Sequence, residues 1–385
     1  FIGYHSITVK NVQITPDLTT SVDFELTPET LQAEAIVVIA ERPLVQKDQT
    51  GSMRFTDAEE LAVMPIRGYA AVTALQAGVT DNDGYLYVRG GRLEEVAYFV
   101  DGVSQQDLQT GRATTSINSN AIDQVVVTVG GFDAEYGRVM SGIVNVVTKE
   151  GGRAYNGSVE GITDEFSGDW IDTPSFGHNN VDGTLGGPVL PGSDRVSFFV
   201  SGELRDRKDR LPCAGVKAMD FERNQLSAEE FKLLSEGLLP HHKMDGSSWQ
   251  GKFTFRISDR INLKAGFLGS TQDEEQYRHH YRYNLRHSPV VDRFNNSVFA
   301  KLTYTVNPKT FLTIESNGFV NRYIRADGVH GGDLNEYGRP SGNPRFDPET
   351  LFYLADLDST AHSRDSDGFR TCLKVISCAL ASIVS

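Results

Sequence analysis

The ten residues RHHYRYNLRH, 278–287, set His279, His280 and His287 among Arg278, Arg282 and Arg286. Imidazoles at this density suit a borderline divalent metal, and a row of guanidinium groups suits carboxylate or phosphate. A solvated loop explains the same composition without any ligand, and His241 and His242 in the preceding polar stretch read the same way. His279, His280, Arg282 and His287 therefore stand as candidates for cargo contact, with no metal assigned. Catalytic constellations are missing from the sequence: there is no GxSxG, HExxH, P-loop or CxxC. Neither an enzyme nor a cofactor holder is expected.

A series of short strands must position that stretch. In RVSFFVSGEL, Val196, Phe198 and Val200 fall on one face and Ser197, Ser201 and Glu203 on the other, with Phe199 as an exception. GKFTFRIS sets Phe253, Phe255 and Ile257 opposite Lys252, Thr254 and Arg256, and SVFAKLTYTV sets Val298, Ala300, Leu302 and Tyr304 opposite Ser297, Lys301 and Thr303. Alternation alone fits a soluble sandwich or a membrane barrel. The connections discriminate: short turns (186–194, 258–260, 307–310) take turns with long polar segments (about 164–179, 206–247, 273–291). Outer-membrane barrels have this asymmetry, whereas a sandwich would need several large insertions. Within the second long segment, LSAEEFKLLSEGLL (226–239) has helical spacing, with Leu226, Phe231, Leu234 and Leu238 apolar. It reads as a lid over a barrel mouth or as a partner-docking helix.

Composition narrows the classes further. A net charge of −14 over 385 residues argues against nucleic acid, which needs clustered Lys and Arg. Cys213, Cys372 and Cys378 show neither zinc nor redox spacing. No run of 18 apolar residues occurs, so a membrane-spanning helix is excluded while a spanning barrel is not.

Upstream, residues 1–28 alternate at period two, and 29–56 has linker composition with one apolar patch. Residues 57–79 give two short helical pieces split by Pro65, with Leu61, Val63 and Met64, then Val72, Leu75 and Val79, on their apolar sides. Residues 85–103 give two strands around a Gly-Gly turn, closed by Asp101-Gly102, and 121–131 a buried strand. The stretch VGGFDAEYGRVMSGIVNVVTKEGG, 129–152, then mixes an apolar strand with charges and glycines.

That stretch resembles the closing segment of the plug domain of TonB-dependent outer-membrane receptors. MPIRGYAAVTALQAGV, YLYVRGGRLEEVAYFVDGV and NAIDQVVVTVGG resemble three further plug segments, in order. The resemblance implies a plug motif carried by Arg89, Gly90, Gly91, Asp101, Gly102, Tyr136, Gly137, Gly142 and Asn145, whose charges face a polar barrel lumen. FIGYHSITV resembles the end of a carboxypeptidase regulatory-like domain, and AEAIVVIAERP resembles a TonB box with core Glu34, Ala35, Ile36, Val37, Val38, Ile39 and Ala40. Ile36–Ile39 also reads as a last sandwich strand.

The implied organisation is mainly β: the end of a small β-sandwich (1–32), a linker with TonB box (33–56), an α+β plug (57–152) and the first strands of a transmembrane antiparallel β-barrel (153–385). At about 9–11 residues per strand the last part supplies seven or eight strands, and the tail 370–385 lacks the alternation of a barrel strand, as a truncated or frameshifted end would. The resemblance further implies an outer-membrane location in a Gram-negative, Bacteroidota-like cell and a periplasmic TonB-ExbB-ExbD partner. The implied function is energy-coupled uptake of a large nutrient such as a ferric siderophore. Surface adhesion or assembly on the same fold is the alternative.

Overall fold

The computed structural model describes residues 7–10, 24–26, 36–39, 52–82, 85–107, 111, 113–130, 139–165, 175–209, 226–281, 285–307, 310–331, 346–347, 352–353 and 377–380. The chain divides into two units, Phe1–Thr50 and Gly51–Ser385. In the first, β1 (Ile7–Lys10) pairs in parallel with β2 (Ile36–Ile39), Ile7 opposite Ile36 and Lys10 opposite Ile39. Among the described residues this ladder has only these two strands.

The second unit begins with an α+β layer. Its sheet has the order β3-β8-β9-β6-β7, from β3 (Ser52–Asp57), β6 (Val96–Val100), β7 (Val103–Ser104), β8 (Ile122–Val129) and β9 (Gly142–Thr148). Only β6 and β9 run parallel. β8 and β9 are buried on both faces and read as nearly continuous Val and Ile, as doubly covered strands must. Val125, Val127, Val144 and Val146 form the core with Val72 of α2 (Tyr69–Ala74) and with Leu86 and Val88 of β5 (Tyr85–Val88). α1 (Ala58–Val63) starts where the Asp57 carboxylate accepts the Glu60 N–H at 2.9 Å.

Three expectations change here. Ser52–Asp57 is an edge strand of this sheet, although 33–56 reads as linker. The strands around the Gly-Gly turn do not pair with each other: β5 pairs with β4 (Val79–Asn82), while β6 enters the five-stranded sheet. Val63 and Leu75 face outward: α1 buries none of its residues, and Leu75 caps α2 past the end of its buried face.

From Asn156 the chain runs as an antiparallel meander: β10 (Asn156–Thr163), β11 (His178–Pro188), β12 (Val196–Arg207), β13 (Met244–Ser258), β14 (Ile261–Glu275), β15 (Pro289–Asn307) and β16 (Thr310–Asp327). Ser377–Leu380 adds beside β16, so the tail contributes a strand despite its lack of alternation. Among the described residues the sheet does not close.

Its polarity is inverted relative to a soluble sandwich. Ser197, Ser201, Glu203, Ser248, Gln250, Lys252, Thr254, Asn295 and Ser297 are buried against the α+β layer. Leu204, Val298 and Ile257 lie outward, about 60% exposed. Register aligns the outer residues into rows: Val196, Phe255, Leu263, Leu302 and Ile314 sit side by side near the short turns. Near the long connections a second outer row runs Asp206, Asp245, Asp273 and Asp292, one aspartate on each of four adjacent strands. Lys243 flanks one end at 2.6 Å from Asp245, and Arg322 the other at 3.0 Å from Asp292.

Candidate functional site

Two turns of the α+β layer set its geometry. Arg89 and Gly90 have φ of 50° and 72°, Asp101 and Gly102 have 50° and 85°, so each pair carries two successive positive φ values. Type I′ turns require that, which is why both pairs end in glycine. The first turn places Arg89 over Gly130, whose added Cβ would lie 2.9 Å from the guanidinium, and lays Gly91 against Ser141 and Glu95. Ser141 donates to the Glu95 carboxylate at 2.7 Å, and with the backbone N–H of Arg92 this holds that carboxyl below the usual range. Gly142 lies where a Cβ would be 2.9 Å from Val88. Asn145 sits mid-strand on β9, facing Phe99 and Val126 in the ladders. Tyr136 and Gly137 lie outside the described residues.

The second turn delivers Asp101 to the meander. Its carboxylate accepts from Thr148 N–H at 3.0 Å and Thr148 Oγ1 at 2.5 Å, and from Lys252 Nζ of β13 at 2.9 Å. Lys252 also donates to the Thr148 carbonyl at 2.8 Å and lies 3.7 Å from Glu150, which Lys264 of β14 meets at 2.6 Å. Burial raises the Glu150 carboxyl, but Lys252 and Lys264 outweigh it and hold it below the usual glutamate value. A second ionic contact joins Arg67 to Glu160 of β10 at 2.5 Å and to Asp182 of β11 at 3.5 Å. Asn120 bridges the same two carboxylates at 2.6 and 2.8 Å.

Between these anchors the contacts are hydrogen bonds, one of them to a carboxylate. Gln105 donates to Ser297 at 3.1 Å, Asn321 to Asp107 at 2.9 Å, Asn295 to the Thr114 carbonyl, and Ser116 N–H to Ser270 at 3.4 Å. Residues 105, 107, 114 and 116 thus run along the polar face of β14–β16. Sequence reasoning passed over this stretch, although SQQD and TTSINSN between apolar strands carry the signal of a buried polar wall. The neutral bonds are worth about 0.5–1.5 kcal/mol each net, and the bond to the Asp107 carboxylate about 1.5–3 kcal/mol.

Residues 45–144 match the family model of the TonB-dependent receptor plug domain. The chain carries a TonB-dependent receptor plug. The meander is the opening of the barrel around it: the same arrangement occurs in the siderophore receptor PirA of Pseudomonas aeruginosa, with a TM-score of 0.51 and 13% identity over 72% of this chain and 42% of that one. It recurs in FpvA of the same organism, crystallised with ferric pyoverdines, at a TM-score of 0.55 and 14% identity over 73% of this chain and 35% of FpvA. It occurs again in the alcaligin receptor FauA of Bordetella pertussis, at 0.51 and 13% over 72% and 40%. By sequence the chain is 25% identical over 290 residues to the TonB-dependent transporter Oar of Myxococcus xanthus, covering 67% of this chain and 27% of Oar. The chain thus spans about a quarter of that curated relative's length. These relatives are outer-membrane receptors and transporters, not enzymes.

On the far side of the barrel from the short turns, the cargo-loop candidates are dispersed. His279 is exposed and pairs with Tyr277 Oη at 3.0 Å. His280 lies in the same short turn, and Arg282 is outside the described residues. His287 is buried, its Nδ1 2.9 Å from Asp327 at the end of β16. The histidine-rich stretch is therefore not one cluster. Two more imidazoles fasten the long β12–β13 connection: His242 to Asp209 at 2.7 Å, and His241 to Glu230 at 2.7 Å and Glu275 at 3.3 Å. Glu230 belongs to α3 (Ala228–Glu236), capped by Ser227 and ended by Gly237 at φ 91°.

Proposed function

We propose that the chain serves energy-coupled uptake across the outer membrane. Cargo of ferric-siderophore size binds on the long-connection side, the plug rearranges, and a periplasmic TonB-like protein, driven by an ExbB-ExbD complex, pulls on Glu34–Ala40. The supporting observation is the seat of the plug: polar groups on both sides, with ion pairs concentrated at Asp101–Lys252 and Arg67–Glu160. A surface of that kind yields to water, as a moving plug requires, where an apolar seal would not.

The siderophore receptors that share the fold support this cargo class. Among the described residues Ile36–Ile39 pairs with one parallel strand, and parallel edge pairing of this kind is what exchange for a partner strand would use. Work must come from the inner membrane, where one charge crossing 100 mV supplies about 2.3 kcal/mol. The resemblance of residues 1–32 to a regulatory-like domain supports a Bacteroidota-like cell. Deleting Glu34–Ala40 should abolish energised uptake of a ferric siderophore while its binding to cells persists. Undiminished uptake by the deletion overturns the reading.

A further inference from the structure

At the outer end of the barrel, β16 closes into a tight turn against the connection between β14 and β15. Gly331 N–H donates to the Asp327 carbonyl at 2.9 Å, and the Asp327 carboxylate accepts the backbone N–H of Val329 at 3.2 Å and of His330 at 3.0 Å. This Asx-type turn brings His330 over its own carboxylate. The short turn Leu285–His287 supplies a second imidazole, with Nδ1 2.9 and 3.0 Å from the two Asp327 oxygens. The two imidazole rings lie 5.3 Å apart. Gly328 makes the approach of the turns possible, because a Cβ there would lie 2.5 Å from the Arg286 carbonyl oxygen and 2.9 Å from that of Ser288.

We propose that His287, Asp327 and His330 bind a borderline divalent transition-metal ion of the Zn2+ class, which fastens the two turns together and keeps a position open to an outside ligand. One atom from each residue lies within 4.8 Å of the others. Zinc bonds of about 2.0–2.1 Å put tetrahedral ligand atoms about 3.3 Å apart, so closure asks for a shift of at most about 1.5 Å. His330, the partly exposed member, makes it, while the buried His287 and Asp327, hydrogen-bonded at 2.9 Å, part by about 0.4 Å to admit the ion. A purely structural clasp needs only His287 and Asp327; the second imidazole, with a ring nitrogen within 4.8 Å of both, is the further ligand a metal needs. Two imidazoles and one carboxylate select zinc-like ions over Ca2+ and Mg2+, which prefer all-oxygen shells. Three protein ligands leave the fourth place to water or an exogenous donor.

The test is Zn2+ alone, titrated against the purified full chain in detergent in competition with a chromophoric chelator, and Co2+ alone for its visible d–d bands. One site per chain is expected, with tetrahedral Co2+ bands. Loss of an outer-shell partner alone costs about 10–100-fold in metal sites, so loss of a ligand in Asp327→Asn or His330→Ala should weaken Zn2+ by at least about tenfold. Gly328→Ala should weaken it by parting the two turns without removing any ligand, and His279→Ala should not change it. If Asp327→Asn disturbs folding, as strand circular dichroism would show, His330→Ala carries the test. Wild-type affinity in His330→Ala, or binding lost instead in a His241→Ala, His242→Ala variant, overturns the proposal. The readout is metal affinity, so the outcome does not depend on the uptake reading.

Discussion

Lys252 Nζ lies 2.9 Å from the Asp101 carboxylate, with the lysine side chain 5% exposed and the aspartate 12%. One residue belongs to a two-residue turn of the plug, the other to the middle of a barrel strand, and 151 positions separate them. The turn exists because Asp101 and Gly102 accept positive φ. The lysine exists on a strand otherwise lined by Ser248, Gln250 and Thr254.

Replacing Lys252 by Met should leave Asp101 buried against an apolar chain. Removing one partner of such a pair costs about 3–5 kcal/mol, and the two bonds from Thr148 place this case near the lower end. Chemical denaturation of the full chain checks it. Asp101→Asn in the Lys252→Met background should recover part of the loss, giving a double-mutant coupling. Additive losses would count against the contact.

Gly142→Ala should destabilise the plug by about 1–3 kcal/mol through overpacking, because the new methyl meets three carbons of the fully buried Val88 at 2.9–3.1 Å. Val88→Ala in the same chain should relieve most of that increment. Urea midpoints of the two single variants and the double variant decide it.

In the membrane-inserted receptor, spin labels at Phe198, Phe255 and Leu302 should be quenched by lipid-soluble oxygen and shielded from a water-soluble nickel reagent. Labels at Ser197 and Thr254, which face the plug, should be shielded from both. Arg at Val298, on the outer face, should cost about 2–4 kcal/mol if midplane. Equal shielding from oxygen at all outer sites would sink the barrel assignment.

His241 gives a pH prediction for the loop. Burial lowers its pKa, but the hydrogen bonds and charges of Glu275 and Glu230 outweigh burial and raise it above 6.5. A raised folded-state value means that the clasp contributes fully below pH 6.5 and is lost as pH rises through the folded value. Hydrogen exchange of α3 should therefore quicken as pH climbs past that point, beyond the intrinsic pH dependence. His241→Gln should remove this excess.

Much of the barrel was legible because alternation is a local property. Val196, Phe198 and Val200 lie outward as the pattern of β12 indicates, and the exception, Phe199, turns inward beside Lys252. The long connections are shorter than their polar composition implies, since β13 and β14 run on into charged residues such as Asp245 and Glu274. Pairings across the sheet were not legible. Nothing local says that β5 leaves β6 for β4, or that His287 meets Asp327, 40 positions away, rather than His279. The plug's glycines were visible as residues, but their reasons lie in the neighbours they admit, Val88 at Gly142 and Ser141 at Gly91.

The aspartate row carries a consequence for depth. On each of four strands, from Val196 to Asp206, Phe255 to Asp245, Leu263 to Asp273 and Leu302 to Asp292, ten residues separate the apolar row from the acidic one. At about 3.3 Å per residue that is roughly 33 Å along the strand, and at a tilt of about 40° roughly 25 Å along the membrane normal. The hydrocarbon band of outer-membrane barrels is about 25 Å tall, and the outward Ile257 and Val306 carry the apolar face a little further toward the short turns. The intervening outward positions, such as Phe198, Leu204, Trp249, Phe267 and Val298, carry no charge. The four carboxylates therefore act as a waterline: they fix how far the barrel sinks, and the headgroup layer begins where they stand.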